Sequence, residues 1–249
     1  MKPEKIIAVR NNKTIYRDGD NCIKVFGADY SKADVLNEAL NQARMEETGL
    51  NIPKISEVTV LDEKWTIVSD FIKGKTLAQL MKENPEKKTE YINTLVDLQL
   101  EIHSKKCSLL NNLYDKMKIK ISQSVLDKAA RDELYKRLEA MPHHDKVCHG
   151  DFNPSNIIIA DDGKAYIIDW AHASRGNASA DAAGTYLSFC LDGDIDGAGK
   201  YLDIFCQKSG TAKHYVQKWM PIVAAVKSVK GNEKEREFFL SCVNVKDDE

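Results

Sequence analysis

His149-Gly150-Asp151-Phe152-Asn153-Pro154-Ser155-Asn156, followed directly by Ile157-Ile158-Ile159, is the stretch on which the reading of this chain turns. A second apolar run, Tyr166-Ile167-Ile168-Asp169-Trp170, puts Asp169 13 residues beyond Asn156. Between the runs lies Asp161-Asp162-Gly163-Lys164. Aspartate and glycine tolerate positive φ, so these residues predict a hairpin turn between two short strands. Such a hairpin brings Asn156 and Asp169 together at its open end, with Asp151 in the loop that leads in. A carboxylate, a carboxamide and a second carboxylate then converge on one point. Pro154 fixes one φ and stiffens the loop.

Phosphoryl transfer from a nucleotide needs this set. One carboxylate accepts the proton of the attacking hydroxyl, or orients it. The oxygen of an Asn and a second carboxylate hold Mg²⁺, a hard cation that takes oxygen ligands. Asp-x4-Asn followed by a hairpin and Asp is the spacing of a kinase catalytic loop. A polar loop and hairpin without chemistry needs neither an Asp at the strand end nor a His-Gly-Asp entering it.

Composition sets the bounds. A chain of 249 residues allows one large domain or two small lobes sharing a cleft. Its 43% hydrophobic and 30% charged residues are those of an ordinary soluble globular protein. A formal net charge of −2 argues against nucleic acid or an anionic membrane as partner. None of the 6 cysteines forms a C-x-x-C pair, so they read as reduced thiols of a cytoplasmic protein. Met1-Lys2-Pro3-Glu4-Lys5 lacks the apolar region of a signal peptide, and no apolar run is long enough to span a bilayer.

Working outward to the N-terminus, Ile6 to Val9, Thr14 to Arg17 and Asn21 to Phe26 predict three strands, divided by turns at Asn11-Asn12-Lys13 and Asp18-Gly19-Asp20. Lys24 sits among apolar neighbours in the third strand. By itself that reads as an edge lysine reaching for water. Ser31-Lys32-Ala33-Asp34 resembles a capping box and opens a helix striped by Val35, Leu36, Ala39, Leu40 and Ala43, with Gly49 as its stop. Glu38 flanks that stripe, and a Lys–Glu pair would hold the ammonium where it reaches nucleotide phosphates. Ile55 to Leu61 and Trp65 to Val68 predict a second hairpin around Asp62-Glu63-Lys64, giving about five antiparallel strands. Ser69-Asp70-Phe71-Ile72-Lys73-Gly74 is either a hinge with free backbone groups for a base edge or an ordinary connector.

From Thr76 the chain reads as helical. Thr76 to Gln79 fits a capping box, and Pro85 ends that helix. A long amphipathic helix carries Tyr91, Ile92, Leu95, Val96, Leu98 and Ile102, and His103 at its end reads as structural. Ser122 to Ala140 predicts one further helix with Val125, Leu126, Ala129, Leu134 and Leu138 inward. After the hairpin, Asp181 opens a helix over Ala182 to Cys190, as a cap that also braces the loop. Asp192, Asp194 and Asp196 could receive a cationic substrate, but the cluster reads rather as a solvated loop and helix start. His149 reads as a brace of its loop.

With these residues in hand, the chain resembles the aminoglycoside phosphotransferase and choline kinase family, the small-molecule branch of the protein-kinase-like fold. The likeness is strongest at His149-Gly150-Asp151-x4-Asn156 and Ile168-Asp169-Trp170, and weaker at Ile23-Lys24-Val25, Glu38 and the hinge. It implies an α+β, bilobal protein-kinase-like fold: a small antiparallel-sheet N-lobe over 1–72 and a mainly helical C-lobe over 73–249. It implies that Asp151 is the catalytic base, that Asn156 and Asp169 bind Mg²⁺, and that Lys24, held by Glu38, contacts the nucleotide. The Asp70 carbonyl and Ile72 N–H would meet adenine, and the turn at Asn11-Asn12-Lys13 would lie over the phosphates. The implied substrates are ATP, with GTP not excluded, and a small-molecule hydroxyl acceptor: aminoglycoside-like, amino alcohol or sugar. Gly150 stands in place of the Arg of H-R-D, no A-P-E follows Asp169, and no G-x-G-x-x-G loop occurs. These departures count against a protein-serine kinase. The other alternative is a nucleotide-binding regulatory pseudokinase, which has no need of an intact Asp151.

Overall fold

The computed structural model describes residues 5–10 and 12–243. Contacts divide the chain into two compact units, Met1–Glu83 with Pro154–His172, and Asn84–Asn153 with Ala173–Glu249. The expected boundary at 72/73 therefore falls inside the first unit. The hairpin after Asn156 belongs with the N-terminal sheet, not with the helices that flank it in sequence.

The first unit opens with β1 (Lys5–Arg10), β2 (Lys13–Asp18) and β3 (Asn21–Phe26), followed by α1 (Lys32–Glu46), β4 (Ile55–Leu61) and β5 (Lys64–Asp70). The five strands form one antiparallel sheet in the order β1-β2-β3-β5-β4. The β4–β5 turn puts Asp62 and Glu63 at φ 46 and 61, the left-handed pair of a tight hairpin. Ser31 caps α1, its Oγ accepting from the Asp34 N–H and donating to the Asp34 carboxylate. The helix lays Val35 and Ala39 against Phe26 and Ile67 of the sheet. The inward face differs from the expected stripe. Leu36 and Leu40 are exposed, and Glu38 and Asn41 are buried instead. A helix face is set by what it covers, and here it covers polar partners. Gly49, at φ 79, lies three residues past the end of α1. The turn over Asn11-Asn12-Lys13 lies partly outside the described residues, since Asn11 is not among them.

The chain continues through β6 (Gly74–Thr76) and α2 (Leu77–Glu83), whose capping box forms as expected: the Thr76 Oγ1 accepts from the Gln79 N–H, and the Gln79 side chain from the Thr76 N–H. Pro85 starts a short 3-10 turn.

In the second unit, α3 (Lys88–Ser104) buries Ile92, Leu95, Val96 and Ile102. The single helix expected over Ser122 to Ala140 is two, α4 (Leu113–Gln123) and α5 (Lys128–Ala140). Ser124 closes the first, and Asp127 caps the second by accepting from the Ala130 N–H. Val125, expected inward, lies 76% exposed in the break. Strong capping residues in mid-pattern outweigh continued apolar spacing.

β7 (Lys146–Cys148) leads to the loop at His149. The chain then returns to the first unit for a 3-10 turn at Pro154–Asn156, β8 (Ile157–Ala160) and β9 (Ala165–Ile167). β6, β8 and β9 form a second antiparallel sheet in the order β6-β8-β9, an addition to the expected hairpin. β10 (Ser174–Gly176) pairs with β7 in the second unit, and α6 (Ala178–Leu191), α7 (Ile195–Ser209), α8 (Lys213–Lys227) and α9 (Glu233–Cys242) complete it. Among the described residues, no helix is long and apolar enough to cross a membrane.

Candidate active site

In the first unit the hairpin does what its sequence promises. Ile157 pairs with Ile167, and the Ile168 N–H donates to the Asn156 carbonyl at 2.9 Å. Asn156 and Asp169 therefore flank the open end of one hairpin. Asp169 has φ 66, a left-handed backbone that Asp accepts more readily than most side chains. Buried Trp170 fixes the chain beyond it, its indole N–H donating to the Ile167 carbonyl at 3.1 Å.

Lys24 of β3 reaches the carboxylate expected near it, Glu38, and also Asp169, which was not expected there. Its ammonium pairs with Glu38 of α1 and lies 3.2 Å from Asp169 Oδ1. Burial works to depress the Lys24 pKa, but Asp169 and Glu38 outweigh it and hold the ammonium above its ordinary range. Lys24 is thus a permanently charged anchor rather than a snorkelling edge residue. A second lysine, missed in the sequence, joins it: Lys13 Nζ lies 2.9 Å from the other Glu38 oxygen and over the rings of Phe26 and Tyr30. Lys13 gives no motif signal, because only the β2–β3 register brings it to α1.

The next strand turn is held tightly. The Gly27 N–H donates to the Asn12 carbonyl at 2.6 Å, and a Cβ on Gly27 would lie 2.9 Å from that oxygen, so only glycine fits there. The stretch read as either hinge or connector lies within the first unit, where the Asp70 N–H donates to the Lys54 carbonyl and the Asp70 carboxylate accepts from the Lys54 N–H. The Phe71 N–H donates to the Asp20 carbonyl, and Ile72 follows outside any strand.

Asp151 belongs to the second unit, where a buried network shapes its loop. Gly150 has φ 82, the conformation that favours glycine between His149 and Asp151. Asp181 accepts from the Gly150 N–H at 2.7 Å and the His149 N–H at 3.3 Å. It also meets His103 Nε2 at 3.0 Å and the Gln99 amide at 3.3 Å. Asp181 is not the helix cap expected of it. Asn177 caps α6, and Asp181 stands one turn inside, buried. The expected bracing of the loop is present in these bonds. Burial pushes the Asp181 carboxyl upward, but the bond and charge of His103, the charge of His149 and the Gly150 N–H bring it down to about 2.

Thr185, one turn further along α6, donates to the Phe152 carbonyl at 2.8 Å and accepts from Gln99, whose amide oxygen takes the Tyr201 hydroxyl. His149 Nδ1 accepts from the Asp151 N–H at 3.3 Å. Lys227, at the end of α8, donates to Asp151 Oδ1 at 3.1 Å and was not foreseen. The acidic cluster is largely structural. Asp194 caps α7 and pairs with Lys88 at 2.6 Å, and Asp196 pairs with Lys200 at 2.9 Å. A cavity of about 250 Å³, lined by Tyr114, His143, Arg175 and Trp219 among others, contains none of the expected site residues.

An antiparallel sheet with a lysine held by a helix glutamate, and a helical region with a pinned His-Gly-Asp loop, define a kinase-like class of protein. The model of the phosphotransferase enzyme family matches residues 8–215, and the chain belongs to that family. No curated protein sequence matches it. Among solved structures, the aminoglycoside phosphotransferase APH(4)-Ia is similar at a TM-score of 0.72 and 16% identity, covering 96% of this chain and 91% of that one. The choline kinase LicA from Streptococcus pneumoniae is similar at 0.68 and 15%, covering 98% and 92%. A choline/ethanolamine kinase family protein from Mesorhizobium loti is similar at 0.65 and 14%, covering 97% and 87%. At such identities the likeness establishes the fold.

Proposed function

We propose that this phosphotransferase moves the γ-phosphoryl group of ATP to a hydroxyl of a small molecule. One observation carries the reading: the Lys24 ammonium is held between the carboxylates of Glu38 and Asp169. The hydroxyl oxygen bonds to the γ-phosphorus, and the bond from that phosphorus to the bridging oxygen breaks. The electron pair leaves on ADP, and the hydroxyl proton passes to Asp151. Lys24 binds phosphate oxygens, and Glu38 keeps it there. The Asp70 carbonyl and Ile72 N–H receive the adenine edge.

Asn156 and Asp169 offer oxygen ligands alone, which suits Mg²⁺, and a magnesium ion needs only one or two protein ligands when phosphates supply others. Among the described residues no group of three or more His, Cys, Asp or Glu is gathered for a metal, so a tight all-protein cage is not what this pair belongs to. When bound, Mg²⁺ neutralises phosphate charge. A ternary complex of a thermostable mutant of APH(4)-Ia contains ADP and hygromycin B, which supports a nucleotide and a small acceptor here.

The test is ADP release from Mg·ATP against sugars, amino alcohols, choline, nucleosides and aminoglycosides, with Asp151→Ala as control. An acceptor-dependent rate that the variant lacks is the expected result. Tight Mg·ATP binding with no ADP release for any acceptor would leave a nucleotide-binding protein without transfer.

A further inference from the structure

Asp151 is met by a cation that comes from 76 residues away in the chain. Lys227 Nζ stands 3.1 Å from Asp151 Oδ1, with the lysine side chain 17% exposed and the carboxylate 37%. Three separate features of the second unit aim it. Lys227 is the last residue of α8, where the helix's free carbonyl ends favour a positive charge. Its stem runs beside Gly184 of α6, where a Cβ would come within 3.5 Å of Lys227 Cε. Its ammonium lies 5.9 Å from the Phe239 ring centroid of α9, within reach of the ring's negative face. The turn that follows is fixed as well: the buried Ser228 donates its N–H to the Ala224 carbonyl and its hydroxyl to the Ala225 carbonyl. Three helices thus define where the lysine head goes, and it goes to the carboxylate that the reaction uses.

We propose that Lys227 is a positioning residue of the phosphotransfer reaction. It holds the Asp151 carboxylate in one orientation toward the acceptor's hydroxyl. The loop's backbone is fixed from the other side by Asp181 and Thr185, which bond its N–H and carbonyl groups. Lys227 meets the Asp151 side chain itself. The role rests on the reading of Asp151 as the base, and it acts on turnover rather than on nucleotide affinity. Lysine and arginine both carry the charge, whereas methionine keeps only the stem.

The experiment compares the wild type with Lys227→Met and Lys227→Arg, measuring ADP release from Mg·ATP with water as the probe acceptor and with any acceptor the panel yields. Mg·ADP affinity and the thermal midpoint are measured alongside. The expected result is a kcat lowered about 10- to 100-fold in Lys227→Met, nucleotide KM and Mg·ADP affinity within about 2-fold, and at least partial recovery in Lys227→Arg. Unchanged kcat in Lys227→Met overturns the proposal and leaves the phosphotransferase reading intact. So does a loss of rate that tracks a lowered thermal midpoint and weakened Mg·ADP binding, with no recovery by arginine. A wild type that binds Mg·ADP yet releases no ADP even to water overturns both.

Discussion

The two units handle polar groups in opposite ways. In the first, Lys13, Glu38, Lys24 and Asp169 form a chain of charges drawn from two strands, a helix and a hairpin end, with the Asp169 side chain 32% exposed. In the second, Tyr201, Gln99, Thr185, His103 and Asp181 form a closed, buried network that ends on the backbone of the His149–Phe152 loop. The open chain offers charges that a nucleotide and its metal can share. The closed network offers none and fixes a loop. Asp169 is the most open member of the first set, whereas every side chain of the second is buried, where an unsatisfied polar group costs about 1–3 kcal/mol.

Breaking the comparison at its chemical end gives the largest effect. Asp151→Ala should lower kcat for ADP release about 1000-fold, and a fall under 10-fold would remove Asp151 from the role of base. Loosening the open chain comes next. Glu38→Gln should weaken Mg·ATP turnover about 10-fold while leaving the thermal midpoint within a few degrees, because Lys24 keeps Asp169 as partner. An unchanged kcat/KM would show that Glu38 serves packing alone.

The closed network should respond in stability. Asp181→Asn leaves its neighbours imperfectly paired and should cost about 3 kcal/mol, measured by urea unfolding. The sign of its pH dependence follows from the carboxyl being lowered from 3.8 to about 2 on folding. Its contribution, about 2 kcal/mol, is present above pH 4 and is lost as pH falls toward 2. The variant should therefore show a flatter stability profile over that window than the wild type. The smallest effect is expected at a simple cap: Ser31→Ala should cost about 1 kcal/mol and leave turnover alone.

What could be read in advance follows the same division. The hairpin with Asn156 and Asp169 at its ends was legible because strand ends and a turn set it, and the Lys24–Glu38 pair was legible only with the downstream motif beside it. The open end of the hairpin needed only the Asp-Asp-Gly turn. Lys13 and Lys227 were not legible, because one depends on strand register and the other on how three helices pack. The closed network left a fainter signal. Gln99 and His103 sit four apart within the apolar face of α3, and Asp181 and Thr185 sit four apart in α6. Polar pairs at that spacing on a buried face must meet each other or pay for desolvation. Leu36 and Leu40 misled for the converse reason: their spacing was helical, but the face opposite carried Glu38 and Asn41 inward to polar partners.

The central claim is that the first unit holds nucleotide while Asp151 acts on the acceptor. Calorimetry of Mg·ADP binding to Asp151→Ala and Asp169→Ala tests it most directly. Affinity within about 2-fold of wild type is expected for Asp151→Ala, and a loss of Mg²⁺-dependent affinity of at least about 10-fold for Asp169→Ala. Equal losses in both, or none in Asp169→Ala, would contradict it.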